Sequence, residues 1–260
     1  MHHLTLKAAV LAAIVILYGC ANPQKTSADP KERLKELTAL VTTDPYNPDS
    51  YFQRGSEYYK QGKFDLALDD FLYAAAIDTN FAEAYLGIGN IYLASGYPEM
   101  AVEAYSKAVS IDPKFDQAYY QIGNYYYVQS NTKGALSNMN IAIALNPGDP
   151  EYYYSRGMLF VNTKDYVAAL NDFGRAIGLN PSYSEAYRSR GVVFGVLREY
   201  EQALADLNKA IELDPEFTDA YFHRAMIYLE TQNQTAAVKD LEKAAAMGDL
   251  QAKEFLKELK

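Results

Sequence analysis

Between residues 48 and 251 the apolar positions return three, four and seven places apart, in short stretches separated by turn residues. That is the period of a helix buried along one face, so the pattern predicts amphipathic helices arranged in pairs. The pairs themselves recur: Gly55, Gly89, Gly123, Gly157 and Gly191 are each 34 residues apart, and the next step lands on Ala225. Four places before these stand Tyr51, Tyr85, Tyr119, Tyr153, Tyr187 and Tyr221, and three after stand Tyr58, Tyr92, Tyr126, Phe160, Phe194 and Tyr228. Two alanine rows follow, Ala67 to Ala237 and Ala74 to Ala244, with a bulky row between them: Phe71, Tyr105, Met139, Phe173, Leu207 and Leu241. The small residues mark where the helices of a pair approach closely, and the aromatic rows fill the space between pairs.

Pro113, Pro147, Pro181 and Pro215 close four of the units, because the residue before a proline is driven out of the helical region. In Gly148-Asp149-Pro150-Glu151 the chain restarts, with Asp149 as N-cap and Pro150 at the first helical position. Pro45 lies two periods before Pro113, which makes 31–44 a lone second helix capping the first unit. Residues 250–260 read as a lone first helix with a polar outer face, and stacked repeats need such caps for solubility.

This register, unbroken through six units, resembles the tetratricopeptide repeat. The resemblance implies an all-α, right-handed superhelical solenoid with repeats at 48–81, 82–115, 116–149, 150–183, 184–217 and 218–251. It also implies that the first helix of each pair lines a concave groove that holds a protein or peptide. Transferred to this chain, the groove positions include Phe52, Tyr120 and Tyr154 three before the glycine, Asn90, Asn124 and Met158 one after it, and Tyr59 and Tyr127 four after it. Such a surface suits an extended peptide or a helix: rings bury area at low entropic cost, and asparagine can bond a backbone. Tyr51 and its row, with Tyr105, read instead as core.

Six before each glycine stand Asp49, Glu83, Gln117, Glu151, Glu185 and Asp219, either a rim for a basic partner or acids placed by the helix dipole. Arg54, Arg156, Arg190 and Arg224 read as structural, their stems packing along the next helix. Asp69 and Asp70 are adjacent on a helix, point different ways and read as solvated surface.

The N-terminus has a different character. Lys7 precedes the apolar run Ala8 to Leu17, and Leu17-Tyr18-Gly19-Cys20 resembles the lipobox of bacterial lipoproteins. The resemblance implies a signal peptide at 1–19, a lipid on Cys20, and a short tether at 20–30 holding the protein to a membrane. Ala21, where an aspartate would favour the inner membrane, points to the outer membrane facing the periplasm. Bacterial lipoproteins of this general design assist pilus secretin assembly, present substrates to proteases or organise peptidoglycan enzymes.

A formal charge of -9 and a pI near 4.9 argue against nucleic acid as partner. A lone cysteine excludes an internal disulfide and a multi-cysteine zinc site, and beyond His2 and His3 the only histidine is His223. No phosphate-binding loop, HExxH or dinucleotide fingerprint occurs. The expectation is a non-enzymatic scaffold without cofactor, metal or small-molecule substrate, binding a protein or peptide of the cell envelope. Two other readings stand beside it: an envelope carbohydrate-binding protein or enzyme that uses the aromatic groove, and a soluble export chaperone.

Overall fold

Asp29, Asn47 and Asp149 each precede a proline, and each accepts the backbone N–H two residues on, at 2.9, 3.0 and 2.9 Å. The side chain satisfies a free donor while proline, which has none, takes the first helical place. Helices α1 (Pro30–Thr43), α2 (Pro48–Lys60) and α8 (Pro150–Asn162) start in this way. The computed structural model describes residues 29–259, and among these there are fourteen helices and no strand. The others are α3 (Phe64–Ile77), α4 (Ala82–Ala94), α5 (Pro98–Ile111), α6 (Asp116–Val128), α7 (Thr132–Leu145), α9 (Tyr166–Leu179), α10 (Ser184–Val196), α11 (Tyr200–Leu213), α12 (Thr218–Glu230), α13 (Gln234–Ala246) and α14 (Leu250–Glu258). The expected signal peptide, Cys20 and nearly all of the expected tether lie outside the described residues.

Helices α2 to α13 form six antiparallel pairs packed as in a tetratricopeptide solenoid. The chain divides into two compact units, one ending at Leu145 and one beginning at Asn146. Within each unit the second helix of a pair packs both on its own partner and on the first helix of the next pair. Helix α1 has the 14-residue length of a second helix and starts 34 residues before α3. It covers the first pair with Leu37 and Val41.

The core follows the small-residue rows. Both alanine rows are buried throughout, and so are the six bulky residues between them. Each bulky side chain sits over the glycine of its own pair: a Cβ on Gly157 would lie 2.7 Å from the Phe173 ring, and one on Gly123 would lie 2.9 Å from the Met139 side chain. In the last pair the partner is Leu241, and Ala225 occupies the close-approach place.

The bend inside each pair is also periodic. Gly62, Gly96, Ser130, Lys164, Arg198 and Gln232 all have positive φ, between 59° and 83°. The N–H of the following residue reaches back to a carbonyl in the last turn of the first helix, as in Lys63 to Tyr58 at 3.0 Å and Asn233 to Tyr228 at 2.8 Å. This left-handed closure satisfies carbonyls that the helix end would otherwise leave free. Only its first two members are glycine, so the row is hidden to a reading that looks for repeated residue types.

Candidate partner-binding face

Four pairs are latched by an arginine of the first helix and an aspartate 16 residues later on the second. Arg54 grips Asp70 with Nε and a terminal nitrogen at 2.8 and 2.7 Å, and Arg156–Asp172, Arg190–Asp206 and Arg224–Asp240 repeat this two-pronged contact. Planar guanidinium against planar carboxylate is the strongest geometry such a pair can take. Each guanidinium also lies near two rings of its own helix, as Arg54 does at 5.7 Å from Tyr51 and 6.0 Å from Tyr58. Asp70 is therefore not solvated surface as its sequence context predicts: it is 3% exposed and held by Arg54, which covers it. The arginines are structural through ion pairs with the facing helix as well as through their stems. In the second and third pairs Ile88 with Ala104, and Ile122 with Asn138, occupy the same places.

The eight expected groove residues divide by depth. Phe52 packs at 5.4 Å from Phe71 and 5.1 Å from Phe81. Tyr59 lies 5.4 Å from Phe64, half-buried, and burial raises its pKa. Asn90 Oδ1 accepts the Tyr105 hydroxyl at 2.9 Å, and burial raises the pKa of that phenol well above its usual range. Tyr127 is half-buried. Tyr154 packs at 5.8 Å from Phe173 and 5.0 Å from Tyr183, while Met158 lies against the cluster of Ala169, Phe173 and Val193.

Tyr120 and Asn124 depart from the expectation of an open surface, being only 5% and 7% exposed. Tyr120 belongs to the packing. Elsewhere in its row the residue three before the glycine packs on an aromatic 29 positions on, whereas for Tyr120 that position is Asp149. Phe52 meets Phe81, Tyr154 meets Tyr183 and Arg188 meets Phe217. Leu86 and Phe115 join one cluster in the same way. Phe81, Phe115, Tyr183 and Phe217 thus form a sealing row that the spacing contains and the sequence reading passes over.

Three buried polar atoms on the first helices have no hydrogen-bond partner: Gln121 Oε1 and Asn124 Nδ2 on α6, and Arg188 Nε on α10. The pair on α6 is an unused acceptor and an unused donor three residues apart. On the second unit Glu151 and Glu185 of the six-before row lie near each other. Glu151 is partly buried, and that burial, with Asp149 and Glu185 nearby, raises its pKa while the Tyr183 hydroxyl bond opposes the rise. His223 on α12 is held down to about 4 by burial first and by the Arg188 charge second, so at neutral pH it is uncharged. No group of three His, Cys, Asp or Glu among the described residues is placed to hold a metal. No helix of the described residues is long and apolar enough to cross a membrane.

Models of the tetratricopeptide repeat match residues 82–115, 120–184, 184–217 and 207–239, and a TPR repeat model matches 55–96, together well over half the chain. Among curated proteins there is no significant match. Among solved structures, the chain aligns with one in the crystal structure of the APC/C hetero-tetramer Cut9-Hcn1 at TM-score 0.76 and 20% identity. That alignment covers 99% of this chain but 49% of the other, so the chain spans about half of its length. Pseudomonas aeruginosa pilF aligns at TM-score 0.73 and 20% identity, over 81% of this chain and 97% of that one. YrrB, described as a TPR protein with an unusual peptide-binding site, aligns at TM-score 0.57 and 24% identity over 72% and 96%. Identities this low carry the fold.

Proposed function

We propose that this chain, which belongs to the tetratricopeptide repeat family, is a non-catalytic scaffold that holds a protein or peptide partner against the first helices of its repeats. One observation carries the reading: those helices carry half-buried rings together with buried polar atoms that have no hydrogen-bond partner, Gln121 Oε1 and Asn124 Nδ2 in one unit and Arg188 Nε in the other. A finished core would pair such atoms within the protein. A surface completed by a partner leaves them as they are. Photo-crosslinking from Tyr59 and Tyr127 should trap one protein reproducibly in cells, and a probe at exposed Glu103 on the second-helix side should not. Equal trapping at all three positions would count against the face.

The same reading extends to address. The lipobox-like Leu17-Tyr18-Gly19-Cys20 supports a protein anchored by lipid on Cys20 in a bacterial envelope, at the outer membrane facing the periplasm, where it assists assembly of an envelope complex. Cys20→Ser should release the protein from the membrane fraction or leave its precursor uncut. A mature N-terminus elsewhere with no acyl chain, read by mass spectrometry, would refute this part alone.

A further inference from the structure

The first helices of the pairs begin in two ways. Helices α2 and α8 are capped by their own side chain ahead of a proline: Asn47 accepts the Asp49 N–H at 3.0 Å, and Asp149 accepts the Glu151 N–H at 2.9 Å. Helices α4, α6, α10 and α12 have Phe81, Phe115, Tyr183 and Phe217 at the same place, with no cap bond from the side chain. Those rings lie instead against the preceding pair, as Phe81 does at 5.1 Å from Phe52 and Tyr183 at 5.0 Å from Tyr154. A start that caps itself needs no earlier pair, whereas a start sealed by a ring depends on one.

A second row divides at the same helix. Three places further on stand Ala84, Ala118, Ala186 and Ala220, all fully buried, and Ala84, Ala118 and Ala220 belong to core clusters built on the preceding second helix. In α8 the residue is Tyr152, also fully buried. Cores are fitted to within a methylene, so a phenol does not take the seat that an alanine takes elsewhere. The division of the chain into compact units falls at this point as well, after Leu145.

We infer that the start of α8 is a built break, made by Asp149 and Tyr152, across which loss of structure does not pass. Residues 29–145 and 146–259 then open and close as two separate cooperative units. In a uniform stack each pair is stabilised by both neighbours, and damage fades gradually from its source. With a break, damage spreads through one unit and stops at its edge. For a scaffold, a partner held on one unit orders that unit alone and leaves the other open to a second segment. That consequence rests on the first helices being the partner-binding face, and the break itself does not.

Hydrogen exchange on the full chain tests the break without any ligand. Met139→Ala opens a cavity in the third pair, the last of its unit, where Met139 is fully buried. Exchange should quicken about tenfold or more throughout α2 to α7, and by less than about twofold in α8 and α9, although these are nearer in sequence than the first pair. Phe173→Leu in the fourth pair should give the mirror result. Asp149→Phe with Tyr152→Ala gives α8 the residues of the sealed starts, and in that background the Met139→Ala effect should pass into α8 to α13. If the repaired chain does not fold beyond residue 146, unchanged protection in α2 to α7 still shows two separate units, and a shared loss of protection overturns the proposal. Quickening that fades evenly from the third pair in both directions would also overturn it. A repaired and folded chain in which the effect still stops at residue 146 would remove Asp149 and Tyr152 as the makers of the break.

Discussion

Ser130, Lys164, Arg198 and Gln232 adopt the left-handed backbone that Gly62 and Gly96 adopt in the first two pairs. An L side chain in that region costs about 1 kcal/mol relative to glycine, because its Cβ crowds the neighbouring carbonyl. Gln232 is exposed, so little is lost with its side chain. Gln232→Gly should therefore raise stability by roughly 0.5–1 kcal/mol, after the greater unfolded-state entropy of glycine is subtracted. An increase in the urea midpoint of the C-terminal repeats would confirm it, and an unchanged or lower midpoint would argue against the turn geometry. At this scale the sequence is legible where one residue type persists, as at Gly123, and illegible where a conformation persists under changing residues. Tyr120 shows the other limit: its helix is plain from periodicity, yet its depth, 5% exposed, is not displayed by a single-helix pattern.

The helix pair is the element, and its latch is an ion pair most of whose carboxylate is withdrawn from water. Removing one partner strands the other, which costs far more than the pair itself contributes. Arg156→Ile should cost about 3 kcal/mol by leaving Asp172 buried and unpaired, whereas Arg156→Ile with Asp172→Ala should recover most of that loss. The double variant copies the Ile88 and Ala104 of the second pair. A double-mutant cycle in urea reads the coupling, and purely additive losses would show that the latch carries no energy of its own. The clue was present in the sequence: arginine and aspartate, 16 apart, occur together in four units and are missing together from two. Along its own helix Asp70 shows only its neighbour Asp69, whereas its partner Arg54 lies on the facing helix.

At the scale of the molecule the two units differ in their response to acid. His223, in the second, is the sole histidine among the described residues. Its folded pKa of about 4 lies below its ordinary 6.5, so the unfolded chain binds the proton more readily. The stability this confers is full above pH 6.5 and is lost as pH falls toward 4, on the order of 3 kcal/mol at most. Glu151 opposes it, since a carboxyl whose pKa is raised by folding favours the folded state as it takes up its proton. The difference between wild type and His223→Gln isolates the histidine. Hydrogen exchange should show the C-terminal repeats opening between pH 6.5 and 4 in wild type and much less in the variant, and equal behaviour would remove His223 as the cause. The six-unit register was readable from glycine spacing, but the division after Leu145 was not. Of the five joints between pairs, four carry Phe81, Phe115, Tyr183 or Phe217 at the sealing place and the one at the division carries Asp149, a distinction that Asn146-Pro147 conceals by looking like the other proline turns.

The latch joins residues only 16 apart, and the left-handed turn between them draws on a few residues of the same period. Everything that closes a hairpin is therefore present once a single period of chain has left the ribosome. Helix pairs can close in the order of their synthesis, each giving the next a finished surface to form against, and loop entropy is charged over tens of residues instead of hundreds. For the nascent chain this shortens the interval in which an apolar helix face waits uncovered, and it makes the first pair, with Arg54 and Asp70, the earliest of the four latched hairpins to be completed.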